Sequence, residues 1–306
     1  MNHKFPYTEE YTAIAIAFKN LVYIADNVSP RVPVGLREFK WSEYPLAEGY
    51  TVPNTLYPKK GQPNEVDFNA IIRAEKVEDY GLQDIISNDD ILNAPKRINP
   101  LAFAVQTLTD LVALDRENRV AQLLFNSASY ASNKQLALSG TSKFSDYTNS
   151  HPVGVIAEAL DTPLIRPNTM TIGRGAWSKL SRHPEIIKSI NRNLGDSGIA
   201  TVQAVAELFE LNAIYIGASY INSAKKGQEA TLQRVWGNHI SLTYLNPLAT
   251  TQGGITFTLT AQYEDKKAGA KEVDAGINGS MLARSAESVK ELIVAKDVGF
   301  LLKDVI

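Results

Sequence analysis

The chain has 306 residues, 44% hydrophobic and 21% charged, which is enough for one large domain or two ordinary ones and excludes a mainly disordered protein. Its 31 basic and 33 acidic side chains give a net charge of -2, so it lacks the basic excess of a protein that coats nucleic acid by neutralising phosphates. The absence of cysteine excludes disulfides, thiolate zinc sites and cysteine nucleophiles and suits a reducing cytoplasm, and the apolar stretch 12–18 is too short for a signal core or a membrane span.

The first third of the chain is rich in proline, with eight of the 14 prolines inside residues 1–98. Proline donates no hydrogen bond to a sheet and interrupts helices, so this region should be extended and not a compact helical or central-sheet unit. Within it, residues 12–24 predict a short helix or strand.

The next predicted element is a long hairpin. Two runs that alternate loosely between polar and apolar residues, 34–50 and 65–78, flank the stretch TVPNTLYPKKGQP, which places Lys59 and Lys60 at a basic tip. One interpretation is an ordinary edge hairpin folded onto the core. In the other the hairpin projects, and then another surface must receive it, because an isolated hairpin is marginal in water.

Aromatic side chains are concentrated in this extended third. Since the region cannot form a core of its own, they need a surface to pack against, and that surface could belong to another copy of the chain. The residues that we expect to make such contacts between copies are Phe5, Tyr7, Tyr11, Phe18, Trp41, Tyr44, Tyr50, Tyr57, Lys59 and Lys60.

Residues 99–126 give the clearest helix prediction. Asn99 suits the N-cap, Pro100 suits the first helical position, and apolar residues recur at steps of three and four. Unbroken from residue 100 to 125, the helix would be about 39 Å long, which suits a structural strut. Its polar face should be solvated or salt-bridged and carries Asp110, Asp115, Arg116, Glu117 and Arg119.

The remainder of the chain predicts mixed helices and strands, and hence an α+β or α/β class. Helices are predicted at 152–160, 176–183, 185–191 and 201–209. Strands are predicted at 170–173 and 213–217, in the β-rich run 235–263, and at 292–295 and 298–302.

Motifs that carry chemistry are scarce. The four histidines have no metal-ligand spacing, the string IGRGAWSKL is neither a dinucleotide fingerprint nor a P-loop, and no G-x-S-x-G occurs. Adjacent carboxylates such as Glu9 and Glu10 do not converge on one point in a helix or strand. We therefore predict no catalytic residue, no metal site and no cofactor.

Six strings in order carry a family resemblance over nearly the whole chain. They are SPRVPVGLREFKWSEYPLAEGYTVPNT, KVEDYGLQDIISNDDILNAP, LDRENRVAQLLFNSASY, PNTMTIGRGAWSKLSRHPEIIKSI, AVAELFELNAIYIGASYINSA and RVWGNHISLTYLNP. With the predicted arm, hairpin and long helix, the chain resembles the major capsid proteins of tailed bacteriophages, which have the fold named after phage Hong Kong 97. The smaller capsid proteins of siphophages that infect proteobacteria are the most similar.

The resemblance implies a fold and an organisation. The fold would be of the α+β class, with an N-terminal arm at 1–31, an extended loop at 32–85, a peripheral domain at 86–153 with its spine helix at 100–126, an axial domain at 154–250 and a return to the peripheral domain at 251–306. Arm and loop would reach over neighbouring subunits, which would then satisfy the hydrogen bonds and aromatic surfaces of the extended third.

The function implied is that of a structural protein of the virion, not an enzyme. Its copies would self-assemble through hexamers and pentamers into an icosahedral head in the bacterial cytoplasm. The partners implied are portal and scaffolding proteins and, in some members, a decoration protein, with double-stranded DNA enclosed without sequence-specific binding and no membrane contact. Because the arm starts almost at Met1, we expect a separate scaffolding protein instead of a cleaved scaffolding segment. The Lys–Asn cross-link of the best-known member is not carried over, and a salt bridge from Lys59 and Lys60 to a neighbour is expected instead.

Three alternatives remain open at this stage. An encapsulin-type shell has the same fold and holds an enzyme cargo. An α/β enzyme would place its site near Arg174, Arg182, His183 and His239, yet it leaves the extended aromatic third unexplained and offers no nucleophile–base pair. A tail or decoration protein would differ in particle shape.

Overall fold

The structure is a computed structural model that describes residues 5–43, 52–56, 61–62, 64–65, 71–190, 198–225 and 227–306. Eight α-helices lie within these ranges: α1 Glu9–Ala17, α2 Ala25–Val28, α3 Asn88–Asn93, α4 Pro100–Leu124, α5 Pro152–Asp161, α6 Arg174–Leu180, α7 Pro184–Ile190 and α8 Val202–Leu208. No helix in the described part of the chain is long and apolar enough to cross a membrane.

Fourteen strands complete the described part of the chain. They are β1 Arg31–Val34, β2 Glu38–Glu43, β3 Ile71–Lys76, β4 Glu78–Ser87, β5 Gln135–Ala137, β6 Thr169–Gly173, β7 Ala213–Gly217, β8 Tyr220–Asn222, β9 Leu232–Arg234, β10 Ile240–Thr243, β11 Thr258–Tyr263, β12 Lys267–Val273, β13 Ser280–Ile293 and β14 Gly299–Lys303. The α+β class predicted from the sequence is confirmed.

The spine helix, α4, begins and runs as predicted. Asn99 caps it by accepting hydrogen bonds from the backbone N–H groups of Leu101 and Ala102, both at 3.1 Å, and Pro100 occupies the first turn. Its 25 residues span about 37 Å. The polar face is salt-bridged at Arg116 and Arg119, as expected, but Arg116 and Glu117 are buried, at 2% and 0% exposure, and are not solvated.

The first sheet is built on the 14-residue strand β13. On one side β4 pairs antiparallel to it over ten residues, and on the other side β12 and then β11 pair with successive parts of it, with β1 parallel to β11. Helices α1 and α4 pack on this sheet through small and aliphatic side chains: Ala15, Ala104, Val105, Leu108, Ala268 and Ala283.

The predicted hairpin is present as β2 and β3, which pair antiparallel from Glu38 opposite Lys76 to Glu43 opposite Ile71. Its base packs on the first sheet. Phe39 and Trp41 join a buried cluster with Leu259, Ala261 and Leu292. The hairpin base is therefore folded onto the core of its own chain.

The second sheet has the order β5-β14-β10-β6-β7. Its apolar side chains at alternate positions, among them Met170, Ile172, Ile240, Leu242 and Phe300, face helices α5 to α8 in a large buried cluster. The predicted strand at 213–217 and the four predicted helices agree with β7 and with α5 to α8 to within a few residues. The predictions missed β12 and most of β13.

Candidate functional site: the arm, the hairpin and the spine helix

The arm, which we define as the described residues 5–30, is attached to the outer edge of β12. The backbone N–H of Thr8 donates to the carbonyl of Ala268 at 3.1 Å, and the Thr12 hydroxyl donates to the same oxygen at 3.0 Å and accepts from the N–H of Ala268 at 3.2 Å. Gly269 permits the close approach, because a Cβ there would lie 2.2 Å from the carbonyl oxygen of Pro6. The start of the arm is thus held by its own chain.

The aromatic residues of the arm lie in two places. Phe5 and Tyr7 stand together, with ring centroids 5.4 Å apart, and the Arg284 guanidinium lies 4.2 Å from the Phe5 ring centroid. Tyr7 remains 42% exposed. Tyr11 instead packs partly buried against the cluster between α1 and α4, and Phe18 lines an open groove beside α4.

Trp41 is only 6% exposed, so its own chain already covers most of its surface. The part that it could offer to another copy is correspondingly small. The remaining residues predicted to contact other copies lie outside the described residues: Tyr44, Tyr50, Tyr57, Lys59 and Lys60.

Exposed aliphatic side chains mark the arm and the hairpin more clearly than the aromatic ones do. Leu21 is 95% exposed and Val22 48%. Around the hairpin, the exposed aliphatic residues are Leu36, Val52, Leu56, Ile71 and Ile72, at 51% to 91% exposure. Exposed apolar side chains of this size also occur elsewhere in the described chain, among them Leu92, Leu248 and Ile277. The exposed aliphatic residues of the arm were not predicted from the sequence, although an aliphatic residue at a turn, as Leu21 is, was an available signal.

An ionic network, defined by Asp26, Arg31, Arg116, Arg119, Glu287 and Glu291, joins the arm, the spine helix and the first sheet; it runs from buried Arg116 and Glu287 to Asp26, whose side chain is 61% exposed. Arg116 Nη1 lies 2.5 Å from Asp26 Oδ1, and its Nη2 donates to the Ser29 carbonyl at 3.1 Å. Arg31 pairs with Asp26 at 2.7 Å and with Glu287 at 2.8 Å.

The charges of this network shift its pKa values. Burial acts to raise the pKa of Asp26, but Arg116 and Arg31 outweigh it and hold that pKa below its usual value. Burial, together with the charge of Arg31, lowers the pKa of Arg116. Asp26 therefore stays ionised and balances the charge of Arg116.

Glu117, the next residue of α4, holds a second set of bonds. Its Oε2 accepts from the backbone N–H groups of Ile24 at 3.0 Å and Ala25 at 2.8 Å. Its Oε1 accepts from Trp236 Nε1 at 2.5 Å and from Ser219 Oγ at 3.3 Å. Burial raises the pKa of Glu117 despite these four donors.

The residues of the enzyme alternative have separate structural contacts. His183 is buried, where Nδ1 accepts from the Glu185 N–H at 3.2 Å and Nε2 lies 2.9 Å from Ser150 Oγ. His239 Nδ1 accepts from the Asp304 N–H at 2.9 Å, and Arg174 and Arg182 are exposed. Among the described residues, no group of three or more His, Asp or Glu side chains could hold a metal ion.

No protein-family model matches the chain, but two curated proteins are similar to it from end to end. The major capsid protein of Pseudomonas phage JBD67 is 45% identical over 306 residues, which are 100% of this chain and 99% of that protein. The major capsid protein of Burkholderia phage BcepMu is 30% identical over 309 residues, which cover 96% of this chain and 95% of that protein.

Solved structures share the fold at low sequence identity. A phage-related protein from Bordetella bronchiseptica RB50 matches with a TM-score of 0.76 and 19% identity, covering 99% of this chain and 98% of its own. The capsid of cyanophage P-SCSP1u matches with a TM-score of 0.59 and 12% identity over 94% and 89% of the two chains. The SrpI encapsulin of Synechococcus elongatus PCC 7942 matches with a TM-score of 0.53 and 10% identity, covering 98% of this chain and 96% of its own.

Proposed function

Because the chain belongs to the family of phage major capsid proteins, we propose that its copies assemble through hexamers and pentamers into an icosahedral head shell that encloses the phage genome. The observation that carries the family is the 45% identity to a major capsid protein along the whole chain. The fold predicted from the sequence, of the Hong Kong 97 type, is confirmed by its match to phage capsid structures.

The encapsulin alternative receives less support. An encapsulin shares the fold, but at 10% identity, whereas the full-length relatives at 45% and 30% identity are phage capsid proteins. Both relatives are structural proteins, which favours a structural role for this chain over an enzymatic one.

We assign the domains as expected from the resemblance: arm 1–31, extended loop 32–85, peripheral domain 86–153 with its spine helix, axial domain 154–250 and return 251–306. The first sheet supports this assignment because it joins the spine helix to β11, β12 and β13. The second sheet combines strands from both sides of the proposed boundary between peripheral and axial domains. Strands β5 and β14 come from the peripheral segments, and β14 pairs with β10 of the axial domain.

Contacts between copies would use the exposed aliphatic residues of the arm and the hairpin. The ten residues predicted from the sequence would join them, Tyr7 with the largest exposed area among the arm aromatics that the structure describes. Many weak contacts repeated around a closed shell give high stability through multivalency.

The further partners are proposed from the family as well. A portal protein and a separate scaffolding protein would act during assembly in the host cytoplasm, and a decoration protein could bind the finished shell. The genome would be double-stranded DNA held without sequence-specific contacts, since the net charge of -2 gives no basic excess for tight binding.

The experiment replaces an exposed arm residue and leaves the arm's own packing intact. Removal of the arm would confound the result, because Ala15 and Val28 are fully buried in the chain's core. Leu21→Asp should leave the unfolding free energy within about 0.5 kcal/mol of the wild type, since Leu21 is 95% exposed. We expect it to abolish closed shells, measured by light scattering and negative-stain electron microscopy with the scaffolding protein present.

The matched control is Ala13→Asp, which adds the same charge at an exposed position of α1. Shells from this control and none from Leu21→Asp would support an arm contact at Leu21. Normal shells from Leu21→Asp would show that assembly does not need a contact at Leu21. Monomers or dimers from the wild type under the same conditions would argue against the shell itself.

A further inference from the structure

Glu117 connects three parts of the molecule through one side chain. Its carboxylate is fully buried in the middle of α4 and accepts hydrogen bonds from the arm, at Ile24 and Ala25, and from Trp236 and Ser219 in the second half. We propose that Glu117 is a positioning residue that fixes the arm and Trp236 together, so that both are released as one unit when one of its two acceptor oxygens is lost.

The arm side of this junction depends on Glu117 for its geometry. Two consecutive backbone N–H groups, of Ile24 and Ala25, point at the same oxygen, Oε2. Hydrogen bonds to an ionised acceptor are about twice as strong as neutral ones, and a buried N–H left without an acceptor is costly. The path of the arm at residue 24 is therefore set by the position of one carboxylate on α4.

Close packing holds the Trp236 side chain in place. The indole is fully buried and stands edge-on to Phe125, with ring centroids 5.6 Å apart and an interplanar angle of 88°. Gly217, the last residue of β7, lies under it, where a Cβ would come within 2.0 Å of the indole Cγ. Val235 N–H also bonds to the Ser219 carbonyl at 3.0 Å. A movement of Trp236 must therefore move the end of β7, and with it the second sheet.

The charged and titratable groups around Glu117 make it the acid-sensitive member of the junction. From the arm, Tyr23 and Asp26 face it; burial, with Asp110 next, raises the pKa of Tyr23 to about 12, so the phenol stays neutral. Asp110 lies on the same helix, and His239 contacts Phe125 from the side of Trp236, with its own pKa lowered by burial. Asp26 keeps a depressed pKa, so Glu117 takes up a proton before Asp26 does.

Protonation of Glu117 and its replacement by glutamine have opposite effects on the junction. Because burial raises the pKa of Glu117 in the folded state, the folded protein binds this proton more tightly than a state in which the junction is open or the chain unfolded, and acidification through this pKa favours the closed junction. The proton would sit on a carboxyl oxygen and be donated to Ser219 Oγ, which can accept it. Both carboxyl oxygens can still accept from Ile24, Ala25 and Trp236, whereas a glutamine offers only one acceptor oxygen.

The test is hydrogen exchange of the full-length chain, both as soluble subunits and as shells, with peptides that cover residues 20–30, 231–239 and, as the reference, 280–286 in β13 of the first sheet. In Glu117→Gln we expect about ten-fold faster exchange in both junction peptides, from the loss of charge-assisted bonds and of one acceptor oxygen, and no change in the reference peptide. Glu158→Gln, at an exposed position of α5, is the matched control and should change none of the three.

A pH profile distinguishes positioning from simple support of the fold. After correction for intrinsic exchange, the wild-type junction peptides should gain protection as the pH falls through the Glu117 pKa, and Glu117→Gln should show no such step. Faster exchange in only one junction peptide, a loss of protection in all three, or the same acid step in Glu117→Gln would each overturn the proposal. If Glu117→Gln fails to fold, Trp236→Phe replaces it: it removes one donor and should release residues 20–30 as well, and unchanged protection there would equally overturn the coupling.

The consequence for assembly rests on the proposed function, in which the arm contacts neighbouring copies. Shell yield of Glu117→Gln is therefore measured separately from exchange. Released junction peptides with normal shells would leave the coupling intact and remove the role of arm position in assembly. Protected junction peptides would overturn the coupling whatever the shell yield.

Discussion

The two sheets of the molecule are buried by different means. Against α5 to α8, the second sheet places an almost entirely aliphatic and aromatic face. Between the first sheet, the arm and α4, buried hydroxyls and charges lie beside a smaller apolar cluster: Ser29 bonds to Thr258 and Thr260, Thr109 to Ser285, and Arg116 to Thr260 and Asp26. Apolar burial is non-directional, whereas hydrogen bonds and ion pairs hold only in one geometry. The comparison indicates that the second half supplies stability and the arm–spine junction supplies position.

The largest effect should come from a cavity in the second core. Ile156 on α5 is fully buried, and Ile156→Ala removes three carbon atoms from a close-packed cluster. We expect a loss of about 4 kcal/mol in the free energy of unfolding, measured by urea denaturation of soluble subunits. Leu164→Ala, at a position 52% exposed, is the control and should cost less than about 0.5 kcal/mol. Equal losses at the two positions would contradict the assignment of stability to this core.

These two modes of burial also separate what the sequence could predict from what it could not. Helices α5 to α8 and strands β6 and β7 followed from apolar periodicity, because a purely apolar face leaves a periodic pattern. Strand β13 was missed except near its end, because the buried positions of SMLARSAESVKELI include Ser285 and Glu287 as well as aliphatic residues, which weakens the apolar pattern. Its pairing with β4 joins residues about 200 apart in the chain, a contact that no local pattern encodes.

The spine helix shows the same limit at the level of single residues. Its cap and apolar stripe were predicted, yet Arg116 and Glu117 were placed on a solvated face because charge is ordinarily exposed. Their burial depends on Asp26 and on Trp236, 90 and 119 residues away in the chain. In the hairpin, Trp41 was predicted to contact another copy, and its own chain leaves only 6% of it exposed for such a contact.

Disrupting the ionic network should lower the free energy of unfolding by less than the cavity does. It should loosen the arm before it affects the second half. Arg116→Met keeps most of the buried volume but leaves Asp26 and Glu291 with Arg31 and Arg119 alone. We expect a loss of about 2 kcal/mol, from the hydrogen bonds of a charged donor, and less than for a fully buried pair because Asp26 is 61% exposed and those partners remain. Limited proteolysis should cut the arm before the second half. The control is Arg166→Met, whose exposed pair with Asp161 should contribute at most about 1 kcal/mol. Cleavage in the second half first would reverse the comparison.

The smallest expected effect tests whether the second half is as insensitive to pH as its apolar core implies. His183, between α6 and α7, is its exception. Since Nδ1 accepts from the Glu185 N–H and the Ser150 proton goes to the Asp146 carbonyl at 2.6 Å, Nε2 carries the ring proton and donates to Ser150. A second proton on Nδ1 would face a donor.

Burial lowers the pKa of His183, although Glu185 acts in the opposite direction. The unfolded chain therefore binds the proton more readily, and stability should fall as the pH drops below the unperturbed His pKa of about 6.5 and continue to fall until the folded pKa is reached. We expect a decrease between pH 7.5 and 5.5 in urea denaturation followed by circular dichroism, smaller than the limit of about 1.4 kcal/mol for one group with an unfolded pKa of about 6.5, with the measurement repeated after His183→Gln. The glutamine keeps an acceptor and a donor but does not titrate, so its stability should change less over this range. An unchanged pH slope in His183→Gln would contradict the assignment and point to His239, whose pKa burial also lowers and which lies against Phe125 at the end of the spine helix.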